Sequence, residues 1–101
     1  MIVKIEFTYE EDTVYIRCPA KVGRNIRQLQ RDFDTWLYDR KNNHPYWVSY
    51  GLEEDGTERW GVSFNEEAFI YWLNNVRFNK GKNVASLIKD PKGLPKKTIN
   101  F

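Results

Sequence analysis

Two short patterns occur twice in this chain, in the same order. Tyr9-Glu10-Glu11-Asp12-Thr13 returns as Leu52-Glu53-Glu54-Asp55-Gly56-Thr57, and Phe33-Asp34-Thr35-Trp36-Leu37 returns as Phe69-Ile70-Tyr71-Trp72-Leu73. Each acidic cluster lies between runs that alternate apolar and polar residues, the period of a half-buried strand. Each Phe-x-x-Trp-Leu lies in a run with helical spacing. The duplication therefore predicts an α+β fold of order β-β-α-β-β-α: a four-stranded antiparallel sheet with two helices on one face.

The individual runs support that plan. Val3, Ile5, Phe7 and Tyr9 alternate with Lys4, Glu6 and Thr8; Val14, Ile16 and Cys18 continue the apolar side until Pro19, which lacks an amide donor for the ladder. Ile26, Leu29, Phe33, Trp36 and Leu37 form one apolar stripe along a helix expected over 24–41, with Gly23 or Asn25 at its start. Tyr46, Val48, Tyr50 and Leu52 then oppose Trp47, Ser49 and Gly51, and Trp60, Val62 and Phe64 oppose Arg59, Gly61 and Ser63. Asp55-Gly56 suits a tight turn needing positive φ. Asn65 caps a second helix lined by Phe69, Trp72, Leu73 and Val76.

One globular domain over 1–88 follows, with pseudo-repeats near 1–42 and 44–78. Val84, Leu87 and Ile88 suit a short helical turn. Residues 89–101 read as an irregular basic tail, either free or docked through Ile99 and Phe101.

Composition narrows the functional classes. A chain of 101 residues with four tryptophans can build one aromatic-rich core. A lone cysteine, Cys18, fits a reducing cytoplasmic compartment, and no apolar run approaches the ~20 residues of a membrane span. One histidine and one cysteine give metals and cofactors no ligand set, and Lys80-Gly81-Lys82 lacks the spacing of a phosphate loop. Cys18 with His44, or a carboxylate, would be the only foothold for a small enzyme, and Cys18 lies on the apolar side of its strand.

What remains are surfaces. If helices cover one side of the sheet, the other side presents Tyr15, Arg17, Trp47 and Arg59, rings among cations of the kind that stack single-stranded nucleic acid. Arg24, Arg27 and Arg31 form a basic helix stripe. The acidic turns Glu10, Glu11, Asp12 and Glu53, Glu54, Asp55 could imitate phosphates and fill a basic groove.

The expected function is that of a small non-enzymatic binding or regulatory protein. It would occupy a macromolecular surface, in the manner of a phage or mobile-element inhibitor or accessory factor aimed at nucleic-acid-handling machinery. A protein partner is favoured, single-stranded nucleic acid is the alternative, and a homodimer through the Tyr15–Trp47 face is a third arrangement. Neither a membrane nor a small-molecule substrate is implied.

Overall fold

The computed structural model describes residues 1–8 and 13–101. Tyr9 and the first acidic turn, Glu10, Glu11 and Asp12, lie outside the described residues.

The chain is α+β, with one four-stranded mixed sheet and one separate two-stranded sheet. β1 (Ile2–Glu6) and β2 (Thr13–Arg17) pair antiparallel, Val3 opposite Ile16 and Ile5 opposite Val14. Their alternation works as the sequence implies: Val3, Ile5 and Ile16 are fully buried, while Lys4, Tyr15 and Arg17 point away from the core.

Pro19 ends β2 and opens α1 (Ala20–Gly23). A turn at Arg24 and Asn25 separates α1 from α2 (Ile26–Leu37), so the helix expected over 24–41 is present but shorter at both ends, with a separate turn of helix before it. Asn25 explains part of the break, because its side chain donates back to Lys21 O (3.1 Å) and does not cap α2. The apolar stripe of α2 behaves as read: Ile26, Leu29, Phe33 and Leu37 are all buried.

β3 (Trp47–Leu52) and β4 (Glu58–Val62) form an antiparallel hairpin. α3 (Glu66–Trp72) follows, capped by the Asn65 side-chain oxygen, which accepts from Glu67 N–H at 3.0 Å. Glu66 and Glu67 in its first turn complement the positive end of the helix. The helix widens into a π-helical segment, Leu73–Arg77, closed by a Phe78 N–H to Leu73 O bond of 3.0 Å.

The sheet corrects two expectations. It is not assembled from two hairpins and is not purely antiparallel. Its order is β5-β2-β1-β6, where β5 (Ser86–Ile88) runs antiparallel to β2 and β6 (Lys97–Asn100) runs parallel to β1. The segment expected to be a short helical turn is β5, and the expected irregular tail supplies β6. Ile99 is buried beside Ile5, and burial of that side chain gives the tail a reason to add to the sheet. β5 and β6 thus take both edges of the first hairpin, and the second hairpin forms a sheet of its own. Residues 89–96 carry the chain from one edge to the other. A Cβ on Gly93 would lie 3.6 Å from Ile2 Cδ1, which places the crossover over the outer face at the Ile2 end.

Buried side chains of α2, α3 and the inner sheet face form a single core. Phe33 is at its centre, with ring centroids 5.2 Å from Phe69, 5.6 Å from Phe64, 5.7 Å from Trp72, 5.7 Å from Phe101 and 6.1 Å from Trp36. The two tryptophans singled out by the repeat thus meet the same phenylalanine. The molecule measures 52 × 32 × 20 Å with a radius of gyration of 15.3 Å. A compact chain of this length has roughly 13 Å, so part of the chain stands clear of the core.

Candidate functional site

That part is the β3–β4 hairpin. Its turn is built locally: Glu53 N–H donates to Thr57 O (2.7 Å), and Gly56 N–H donates to Glu53 O (3.0 Å). Gly56 supplies the required positive φ of 86°. Asp55 Oδ1 accepts from Thr57 Oγ1 (2.6 Å) and Thr57 N–H (2.9 Å), and these bonds hold its carboxyl below the usual carboxylate range.

A bulge between Ser49 and Gly51 re-sorts the faces. Trp47 and Val62 are directly opposed, as are Ser49 and Trp60, so Trp47, Ser49, Trp60 and Val62 share one side. The sequence alternation had placed Trp47 and Trp60 on opposite sides; register between strands cannot be counted from one strand alone. On the other side the Tyr50 ring lies over Gly61, where a Cβ would clash with Tyr50 Cε2. Every residue from Ser49 to Trp60 is exposed. Among them are Tyr50 (62% exposed), Leu52 (73%) and Trp60 (44%), with the carboxylates Glu53, Glu54, Asp55 and Glu58 around them.

The base of the arm is tied to the core by stacked planar groups. Trp36 lies 4.7 Å from His44, and His44 stacks on Trp47 at 5.2 Å and 6°. The Arg40 guanidinium sits over both Trp47 (4.5 Å) and Trp60 (5.2 Å), a cation–π arrangement. Trp47 Nε1 donates to Asn42 O at 2.8 Å. His44 is buried, and its Nδ1 accepts from Tyr46 N–H (3.2 Å). The proton therefore resides on Nε2, which donates to Leu37 O (2.8 Å). Both imidazole nitrogens serve the backbone. Cys18 is buried, which pushes its thiol pKa up, and no hydrogen bond joins it to His44 among the described residues.

At the foot of the arm lies a cleft of about 530 Å³, between α2, the end of β4 and the residues beyond β1 and β6. Phe7, Phe64 and Phe101 supply its aromatic surface, with Phe7 and Phe101 stacked at 5.7 Å. Gln30 and Asp34 of α2 and Tyr38, the residue that caps its C-terminus, line it on one side. They are spaced by four, so they form a polar stripe along one side of the buried stripe. The Gln30 amide donates to Asn100 O, joining the helix to β6.

Burial pushes the Asp34 carboxyl pKa up, with no opposing hydrogen bond or cation. A folded-state pKa above the unfolded one means that ionised Asp34 costs stability at pH values above both. Asp34→Asn is therefore expected to raise the urea midpoint slightly at neutral pH. The gain should vanish as pH falls below the ordinary carboxylate range, where the wild-type side chain is neutral too.

The remaining expected site residues disperse. Tyr15 and Arg17 lie on the outer face of the four-stranded sheet, with Tyr15 beside Lys4, whereas Trp47 and Arg59 belong to the hairpin. The expected continuous face is thus divided between two sheets. Arg59 pairs with Glu53 (Nε to Oε1, 3.2 Å) on the exposed arm. Arg27 and Arg31 flank a shallow groove beside Thr98 and Asn100, while Arg24 belongs to the turn after α1. Glu53, Glu54 and Asp55 form the exposed tip of the arm.

Arg40 and Asp34 were missed. A cation seven residues before Trp47 and a polar stripe spaced by four along α2 were the available signals. Among the described residues, no group of three or more His, Cys, Asp or Glu side chains could hold a metal, and no helix is long and apolar enough to cross a membrane. No protein-family model, curated protein or solved structure matches this chain.

Proposed function

We propose that this chain is a non-enzymatic binding protein that acts by occupying a surface of another protein, with the β3–β4 hairpin as its arm. The observation that carries this reading is the run of exposure from Ser49 to Trp60 with Tyr50, Leu52 and Trp60 in it. Large apolar side chains on a projecting, locally braced hairpin are costly to hydrate, and they are the residue types that anchor protein interfaces. Four carboxylates accompany them against one cation, Arg59. A complementary partner offers apolar pockets rimmed by basic groups, as grooves that handle nucleic acid do. An inhibitor or accessory factor directed at such machinery is the role that fits this chemistry.

Single-stranded nucleic acid is the second reading, favoured by Arg40 over Trp47 and Trp60. The charge of the arm argues against it, since the same carboxylates repel phosphates.

Affinity capture from the native host separates the two. The wild-type chain should recover a stoichiometric protein partner, and Trp60→Ala should weaken that complex by about 30-fold or more, as for an interface anchor. Reversing Glu53 and Glu54 to Lys should slow association and flatten its salt dependence. Undiminished recovery by both variants would overturn the assignment of the arm. Tryptophan fluorescence that responds to oligo(dT) at low salt, with a steep loss on adding salt, would instead favour nucleic acid.

A further inference from the structure

The cleft at the foot of the arm has a composition that the hairpin reading does not use. Its aromatic surface comes from Phe7, Phe64 and Phe101, and its wall carries one acidic side chain, the carboxylate of Asp34. Among the described residues this carboxylate makes no ion pair and no side-chain hydrogen bond. The nearest cation along the helix, one turn earlier, is turned elsewhere: Arg31 Nη2 donates to Gln28 Oε1 at 2.8 Å. A volume of about 530 Å³ lies inside the range of small-ligand sites, roughly 300–1,000 Å³.

We propose that this cleft binds an organic cation, a guanidinium or amidinium group carried on a flat or apolar stem, with Asp34 as its anionic acceptor. Each element of the site matches one part of such a ligand. A carboxylate accepts two parallel N–H bonds from a planar fork, the geometry a guanidinium or amidinium presents. The aromatic surface takes the stem, and ring faces attract the delocalised charge. Tyr38 and Ser63 also line the cleft, with hydroxyls that can accept a remaining N–H. A neutral apolar ligand would leave the carboxylate desolvated further without a partner, and an anion would be repelled by it.

The same chemistry occurs in a free amidine and in an arginine side chain of a peptide, and two probes tell them apart. Benzamidine and acetyl-arginine amide are titrated separately into the 15N-labelled chain, with neutral benzamide as control. The proposal expects amide shifts confined to residues 7–8, 30–38, 62–64 and 98–101 at about millimolar concentrations, with benzamide weaker than benzamidine by about tenfold or more. Asp34→Asn should abolish that discrimination, and Tyr38→Ala should weaken both cations. Tighter binding of benzamidine points to a free ligand, and tighter binding of the arginine amide points to a peptide. Equal binding of benzamide and benzamidine to the wild type, or shifts mapping outside the cleft, overturns the proposal, and this comparison stands even if Asp34→Asn does not fold.

Discussion

Phe33→Ala should cost about 3–5 kcal/mol of folding stability, the range for deleting a fully buried phenylalanine ring. The side chain is completely buried and meets Trp36, Phe64, Phe69, Trp72 and Phe101, which come from α2, the segment before α3, α3 itself and the residue just past β6. Rings that meet at 60–82° interlock edge to face, so they cannot collapse into the vacated volume without rotating against their other neighbours. A domain of this size has about 5–15 kcal/mol in total, so the variant should be partly unfolded at moderate temperature. Phe33→Leu keeps most of the volume and should cost markedly less. Urea denaturation followed by tryptophan fluorescence measures both, with Leu94→Ala, at an 88% exposed position, as a surface reference expected within about 0.5 kcal/mol of wild type. A loss below about 1 kcal/mol for Phe33→Ala would show that the ring cluster does not hold the layers together.

That cluster also marks how far the sequence could be read. The helical stripe of α2 and the alternation of β1 and β2 were legible because a buried face imposes its period on the residues. The duplicated acidic and Phe-x-x-Trp-Leu patterns were legible too, but they misled about assembly. Similar local elements need not pair, and the competition for the edges of the first hairpin was decided by two short segments, Ser86–Ile88 and Lys97–Asn100. A three-residue strand has almost no pattern of its own. β6 became a strand because Ile99 completes the core beside Ile5, an event visible only once the core exists.

The candidate site was less legible, for related reasons. Alternation put Trp47 and Trp60 on opposite sides, and they share one, since one bulge at Ser49 and Gly51 changes how the rest of β3 aligns with β4. Arg40 reaches Trp47 and Trp60 across the connection between α2 and β3, where His44 bonds Leu37 O, and no local pattern announces that geometry. Asp34 sits within one of the repeated patterns, where its neighbour Phe33 drew the reading toward the core. The acidic tip Glu53-Glu54-Asp55 was the most legible element, because Asp-Gly with a following Thr closes its own turn regardless of tertiary context.

Asn74→Ala should expose how β5 is held. Asn74 is one of two buried polar residues among those described, and its side chain replaces the ladder bonds that residues 84–85 would otherwise lack. Its Oδ1 accepts from Val84 N–H (2.8 Å) and Ala85 N–H (2.9 Å), and its Nδ2 donates to Ala85 O (2.9 Å). The wider π-helical turn that contains Asn74 lies against this loop, so helix and strand are joined through one amide. Alanine would strand two donors and an acceptor in a dry site, at about 1–3 kcal/mol for each group left unpaired. The full sum is not expected. β5 pairs with β2 over only Ser86, Leu87 and Ile88, and Leu87 is half exposed, so the segment can detach and rehydrate its amides. The cost is then capped at the free energy of that local opening, about 2–4 kcal/mol. Hydrogen exchange distinguishes detachment from global weakening. The amides of residues 84–88 should lose most of their protection, while those of β1 and the buried turns of α2 keep theirs until global unfolding. Unchanged exchange at Val84 and Ala85 would show that the amide bridge is dispensable, and uniform acceleration everywhere would show that β5 and the core open as one unit.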